Sequence, residues 1–84
     1  MSEALTLRVI SPKEVIFEGE ADMVGLPGTQ GAFTVLRNHA PLITTLEKGV
    51  ITYRGSGEQG DGKQIEISGG LAAIDRNVVT VCLT

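Results

Sequence analysis

The sequence contains no tryptophan, one cysteine, one histidine, one tyrosine and two phenylalanines in 84 residues. Each scarcity excludes something. With Cys82 alone, no intrachain disulfide can form and nothing points to an oxidising compartment. One histidine and one cysteine cannot fill a tetrahedral metal site, so no metal is expected; no cofactor is expected either, since no glycine pattern stands in a nucleotide-binding context. Positive charge is sparse. Arg8, Lys13, Arg37, Lys48, Arg54, Lys63 and Arg76 are scattered, and the net charge is -3. That balance argues against nucleic-acid binding, which needs clustered Lys and Arg against phosphate. No apolar run approaches the ~20 residues of a membrane span, and the N-terminus lacks a basic region followed by an apolar core. A soluble cytoplasmic domain is the expectation. No long stretch of 3.6-residue periodicity is free of breakers, so no helix longer than two turns is expected.

The length suits one domain, residues 1–84. A core of this size is marginal by itself, and with no disulfide or metal the natural support is a partner.

What the chain does have is short β-type segments. Leu5-Thr6-Leu7-Arg8-Val9 alternates strictly, placing Leu5, Leu7 and Val9 on one face. Ser11-Pro12-Lys13-Glu14 reads as a turn. Val15 to Glu18 is a second strand, interrupted at Gly19 as a bulge would interrupt it. Ala21 to Gly25 is a third. Val50-Ile51-Thr52-Tyr53-Arg54 is rich in β-branched residues. Gly55 to Gly62 carries four glycines and no large apolar side chain, which predicts a mobile hairpin loop returning through Gln64-Ile65-Glu66-Ile67. Ser68-Gly69-Gly70 predicts positive φ or close backbone approach. Leu71 to Ile74 and Val78 to Leu83, joined by Asp75-Arg76-Asn77, form a last hairpin. Leu71, Ile74, Val78 and Val81 also fit helical spacing, but the β-branched run Val78 to Val81 argues for strand. Short strands with turn signals every eight to twelve residues predict an all-β sandwich or barrel.

The most distinctive stretch is Pro27 to Gly49. Turn residues open it at Pro27-Gly28 and at Gly31; one or two strands follow. Asn38-His39-Ala40-Pro41 lies between Ala32-Phe33-Thr34-Val35-Leu36 and Leu42-Ile43-Thr44-Thr45-Leu46. Pro41 favours extended geometry in Ala40 and cannot donate to a ladder, which predicts an edge or a crossing.

Signals for chemistry are weak. Gly55 to Gly60 matches G-x-G-x-x-G, but a strand follows where a phosphate-binding helix is required, so the glycines read as a plain loop. His39 could activate only Thr44, Thr45 or Ser68, and no nucleophile signature surrounds these hydroxyls. A histidine before Ala-Pro more often bonds a corner or lines an interface. Glu18 and Glu20 read as solvated acids. Cys82 has no activating cation beside it in sequence. The residues describe a small all-β module without a visible active site. A β-domain enzyme using His39 with a threonine and a free-standing ligand-binding barrel remain the rival classes.

End to end, the sequence resembles the N-terminal domain of the F-type ATP synthase epsilon subunit, called delta in mitochondria. Leu7-Arg8-Val9-Ile10-Ser11-Pro12 with Phe17-Glu18-Gly19 is similar to the family's opening. Pro27-Gly28 through Gly31, Val35-Leu36, then His39-Ala40-Pro41-Leu42-Ile43-Thr44-Thr45-Leu46 with Gly49 is the most specific match. Ile67-Ser68-Gly69-Gly70 and Asn77-Val78-Val79-Thr80-Val81 match the closing hairpin. The resemblance implies a sandwich of two five-stranded sheets in a non-catalytic rotor subunit of the central stalk. It implies docking on the gamma subunit through Ser11, His39 and Thr44. It implies contact with the polar loops of the c-subunit ring through Gln30, Gly31, Ala32 and Phe33, with Phe33 open between outward exposure and inward packing. Coupling of ion translocation to ATP synthesis, at the cytoplasmic face of the inner membrane, is the implied role. The family's usual Pro-Gly before the histidine is Arg37-Asn38 here, with Asn38 able to adopt left-handed geometry. A common glycine is Thr34, and a common acidic residue of the c-ring loop is Ala32. The two-helix hairpin of most relatives, with its inhibitory and ATP-binding roles, is not expected within these 84 residues.

Overall fold

The computed structural model describes residues 4–55 and 62–84. It contains nine β-strands and, among these residues, no helix. They are β1 (Leu5–Ile10), β2 (Val15–Ala21), β3 (Met23–Gly28), β4 (Gly31–Leu36), β5 (Leu42–Leu46), β6 (Gly49–Arg54), β7 (Lys63–Ile67), β8 (Gly70–Asp75) and β9 (Val78–Leu83). The expected mobility of the Gly55 to Gly62 loop concerns mostly positions 56–61, which lie outside the described residues.

The strands hydrogen-bond along the path β2-β1-β9-β8-β5-β3-β6-β7, with β4 on the other edge of β3. β1 and β9 run parallel, and the other pairs are antiparallel. The path nearly divides at β5–β3, which are joined by the single pair Gly28↔Leu46. On one side lie five strands, β2-β1-β9-β8-β5; on the other lie four, β4-β3-β6-β7. The sheet curls so that both parts enclose one core. Every strand contributes to it: Leu5, Leu7 and Val9; Ala21; Val24 and Leu26; Val35; Leu46; Ile51; Ile67; Ala72 and Ile74; Val79 and Val81. No polar or charged residue is buried among those described. The rings of Phe17 on β2 and Tyr53 on β6 meet at 4.5 Å between centroids, tying the far strand of the first part to the second.

Two separate five-stranded sheets are therefore not what forms. The edge of β3 is shared, with Met23 to Gly25 against β6 and Gly28 against β5, which makes the nine strands one curled half-barrel.

Three local expectations are corrected. Gly19 does not interrupt β2, because it pairs in register with Leu7. The irregularity lies opposite Val9 and Ile10, which face Phe17 and Val15, so Ile16 is the extra residue. Gly19 serves its own strand: a Cβ there would come within 3.0 Å of the Phe17 ring. The third strand starts later and runs further than Ala21 to Gly25, taking in Leu26, Pro27 and Gly28. The turn falls at Thr29-Gln30, and Gly31 opens a strand. Pro27 is tolerated inside β3 because its carbonyl faces β5, accepting the Glu47 N–H at 2.9 Å, so its missing N–H takes no bond from β4.

The remaining turn chemistry is as the residues dictate. Gly69 has φ +144°, and a Cβ at Gly70 would strike the Cys82 carbonyl. Arg76 and Asn77 take left-handed φ values of 51° and 64° in the β8–β9 turn.

Candidate functional site

The corner that carries His39 is built by asparagines. Asn38 has φ 65°, and the His39 N–H donates to the Leu36 carbonyl at 3.2 Å, closing a turn. The Asn38 N–H donates to Asn77 Oδ1 at 2.6 Å, and Asn77 Nδ2 reaches Asn38 Oδ1 at 3.5 Å. The Asn77 carbonyl accepts from the Thr6 N–H at 2.8 Å. Asn77 thus locks the corner to the β8–β9 turn and to the start of β1. Sequence reasoning found the corner but missed this latch, because its two halves lie 39 positions apart.

His39 is half-buried. Its Nδ1 lies 2.7 Å from the Ala40 carbonyl, and a carbonyl only accepts, so Nδ1 carries the proton. In the neutral ring Nε2 is then left as an acceptor for an incoming donor. Thr44 Oγ1 donates to the Thr45 carbonyl at 3.3 Å, and Thr45 Oγ1 pairs with Thr29 Oγ1 at 2.8 Å. No imidazole–hydroxyl pair forms among the described residues, and no group of three or more His, Cys, Asp or Glu that could hold a metal occurs among them. Beside the corner a shallow groove of about 550 Å³ is lined by Pro41, Leu42, Ile43, Ala73, Ile74 and Asp75.

The second region is the β3–β4 hairpin tip. Gln30, Gly31 and Ala32 are exposed, whereas Phe33 is half-buried and packs on the core. The Phe33 ring occupies the space a Cβ at Gly28 would need, which is one reason it turns inward. The tip is pinned to β5: the Thr29 N–H donates to the Thr45 carbonyl at 3.1 Å.

Ser11 spends its hydroxyl locally. Its Oγ accepts from the Lys13 and Glu14 N–H groups at 3.3 and 3.2 Å, and its N–H donates to the Glu14 carbonyl at 2.8 Å.

The register places these residues relative to one another. His39 lies at the end of the fold that holds the β8–β9 turn, and Ser11 lies at the opposite end of the five-stranded part. Thr44 lies mid-strand in β5, opposite the buried Ala72, with Val81 and Val9 next along the same row. Three strand steps separate β5 from β1, roughly 14 Å at normal strand spacing. Ser11, His39 and Thr44 therefore do not converge on one point. The hairpin tip shares an end with Ser11.

An apolar surface that the sequence reading did not single out lies on the other face of the five-stranded part from Thr44. On the outward face of the five-stranded part, Ile43 and Ala73 lie side by side, as do Thr45, Leu71, Cys82 and Ile10. Ile43 is 72 % exposed and Leu71 43 %. Alternation had assigned one face of each strand to the core and left the composition of the other unread.

Residues 4–84 match the family model described as ATP synthase, Delta/Epsilon chain, beta-sandwich domain. The chain is 43% identical over 77 residues to the ATP synthase epsilon chain of a Nostoc species, covering 92% of this chain and 56% of that one. It is 42% identical over 81 residues to the epsilon chain of Desulfitobacterium hafniense, covering 96% and 59%. It thus spans somewhat over half the length of these curated relatives. Among solved structures, the fold is similar to a chain of the Tetrahymena thermophila mitochondrial ATP synthase central stalk and c-ring. The TM-score is 0.78 at 9% identity, covering 98% of this chain and 64% of the other. It is likewise similar to a chain of the Euglena gracilis mitochondrial ATP synthase, TM-score 0.80 at 23% identity, covering 95% and 50%.

Proposed function

The chain belongs to the ATP synthase delta/epsilon family of β-sandwich domains, and from that premise we propose that residues 1–84 act as one non-catalytic rotor domain of the central stalk. The domain links the gamma subunit to the c-subunit ring, so that ion-driven rotation of the ring turns the shaft. Its place is at the cytoplasmic face of the inner membrane, peripheral to the bilayer through the complex. The observation that carries this reading is the family match across residues 4–84.

The mechanics follow from packing. A curled sheet over a hydrocarbon core deforms little under load, because close-packed interiors are weakly compressible. The tip Gln30 to Ala32 presents backbone and the Gln30 amide, which suits the polar loops of a c-ring, while Phe33 anchors the tip from inside. The gamma-facing residues of this reading are Ser11, His39 and Thr44; the apolar Ile43 and Leu71 lie on the outward face of the five-stranded part, the opposite face from that of Thr44. A stable interface of this kind covers on the order of 800 Å² per partner.

Cysteine cross-linking in the assembled complex tests the assignment, after replacement of the exposed native Cys82. Cysteine at position 39 or 44 is expected to cross-link to gamma, and at 31 or 32 to the c-subunit loop. Gel filtration with purified gamma is expected to give a one-to-one complex. His39→Ala is expected to weaken assembly and ion-coupled synthesis while sparing hydrolysis by the soluble catalytic head. A reaction of the isolated domain that His39→Ala abolished would reinstate the enzyme reading.

A further inference from the structure

The crossing from β4 to β5, residues 37–41, belongs to neither strand, yet it carries His39. Its own turn holds it in part. The His39 N–H closes on the Leu36 carbonyl, and the positive φ of Asn38 falls at the third of the four residues, where a type II turn demands it. In such a turn the N–H of the third residue has no partner inside the turn. It belongs to the central peptide, between Arg37 and Asn38, whose flip would make the turn type I and the φ of Asn38 negative. Asn77 grips that N–H, with Oδ1 at 2.6 Å.

Asn77 is itself anchored. Its carbonyl accepts the Thr6 N–H at 2.8 Å, and the next residue, Val78, pairs with Asp75 on one side and Thr6 on the other. The corner is thus held from the body of the fold through one backbone group.

The grip leaves His39 with one ring nitrogen committed and one offered. Nδ1–H is spent on the Ala40 carbonyl, and Nε2 has no partner among the described residues. No buried side-chain nitrogen or oxygen among them lacks a partner, so Nε2 is reached from the surface. In the neutral ring that nitrogen can only accept.

We propose that Asn77 is a positioning residue for His39. By holding the central peptide of the corner, it fixes the conformation that presents Nε2 as an acceptor. The group that meets it on the gamma subunit is then a hydrogen-bond donor, an N–H or O–H. The proposal rests on the reading that His39 faces gamma. Asn77 acts through the corner and touches no part of gamma. Because the group it holds is backbone, glycine at position 38 would be held as well as asparagine.

Titration of purified gamma into the 84-residue chain and its variants tests this. Asn77→Gly keeps the left-handed backbone and loses the bond, and is expected to raise the dissociation constant for gamma roughly fivefold. Asn77→Asp retains the acceptor oxygen and is expected to restore most of the affinity. Asn38→Gly retains the N–H and is expected to stay within about twofold of the native chain. In a His39→Ala background, Asn77→Gly is expected to change the affinity by less than about twofold, since the nitrogen it positions is gone. In the free chain at about pH 8, above the usual histidine range, NMR of the ring nitrogens is expected to show Nε2 unprotonated. Gamma binding indifferent to His39→Ala would overturn the gamma-facing reading of His39, and this role for Asn77 with it. Binding weakened by His39→Ala but not by Asn77→Gly, losses that simply add in the double variant, or a proton on Nε2 in the free chain would overturn the inference and leave that reading standing.

Discussion

Asn77 is a small residue with two duties. It adopts a left-handed conformation, and its side chain accepts from the Asn38 backbone at 2.6 Å. Asn77→Gly keeps the backbone geometry and loses the bond, for an expected cost of about 1 kcal/mol. Asn77→Ala loses the bond and strains the backbone as well, for about 2 to 3 kcal/mol. Urea denaturation of both variants separates the two contributions; equal losses would show that the backbone conformation costs alanine nothing there. Gly70→Ala is expected to be worse than Gly31→Ala by urea denaturation, since a Cβ at Gly70 strikes the Cys82 carbonyl and forces the backbones of β8 and β9 apart, whereas at Gly31 nothing lies within 4 Å and the cost is the backbone strain of φ +131° alone. Asn38 was legible from sequence as a left-handed substitute for glycine, because that is a property of one residue. Its bond to Asn77 was not, because it exists only once two distant turns are brought together.

Strands are the scale at which the sequence speaks most clearly. Alternation located β1 with its inward Leu5, Leu7 and Val9, and β-branched runs located β6 and β9. It failed where one residue serves two masters. Pro27-Gly28 carries turn chemistry yet completes β3, because the N–H that proline lacks would have faced away from β4. Gly19 carries bulge chemistry yet stays in register, because its missing side chain makes room for Phe17. The Phe17 ring also meets Tyr53 across the fold, so Phe17→Ala is expected to cost about 2 kcal/mol, below the usual cost of truncating a buried aromatic because the ring is only half-buried. Thermal unfolding checks this. A loss much below that would mean that the two parts of the sheet hold together without the ring pair. Phe33 could not be assigned from sequence to tip or core, because the choice depends on the space above Gly28.

Taken whole, the described molecule is held by hydrocarbon. The Arg8–Glu18 pair spans 3.6 Å with both side chains about half exposed, so water and salt screen it. Arg8→Ala is expected to change stability by no more than about 0.5 kcal/mol, and raising sodium chloride is expected to leave the urea midpoint nearly unmoved. A large salt dependence would point to electrostatic support elsewhere in the chain. The surfaces of the proposed function were legible only in part: the motif residues stood out, but the apolar strip of Ile43 and Leu71 emerges only when neighbouring strands are laid in register.

The parallel pairing of β1 with β9 sets an order in time. Leu7 lies beside Val79, a residue 72 positions further along the chain that must be synthesised before the pair can form. At about 5 to 20 residues per second this is several seconds or more, during which β1 has only β2 for company. The segment made first is completed last, and its Leu5, Leu7 and Val9 wait without their final neighbours. Pairing over such a separation is also the slow kind in refolding, which places this domain among millisecond-to-second folders. A newborn chain therefore has a window in which its opening strand is open to other hands, and a chaperone that grips Leu5 to Val9 would find it empty-handed only until β9 arrives.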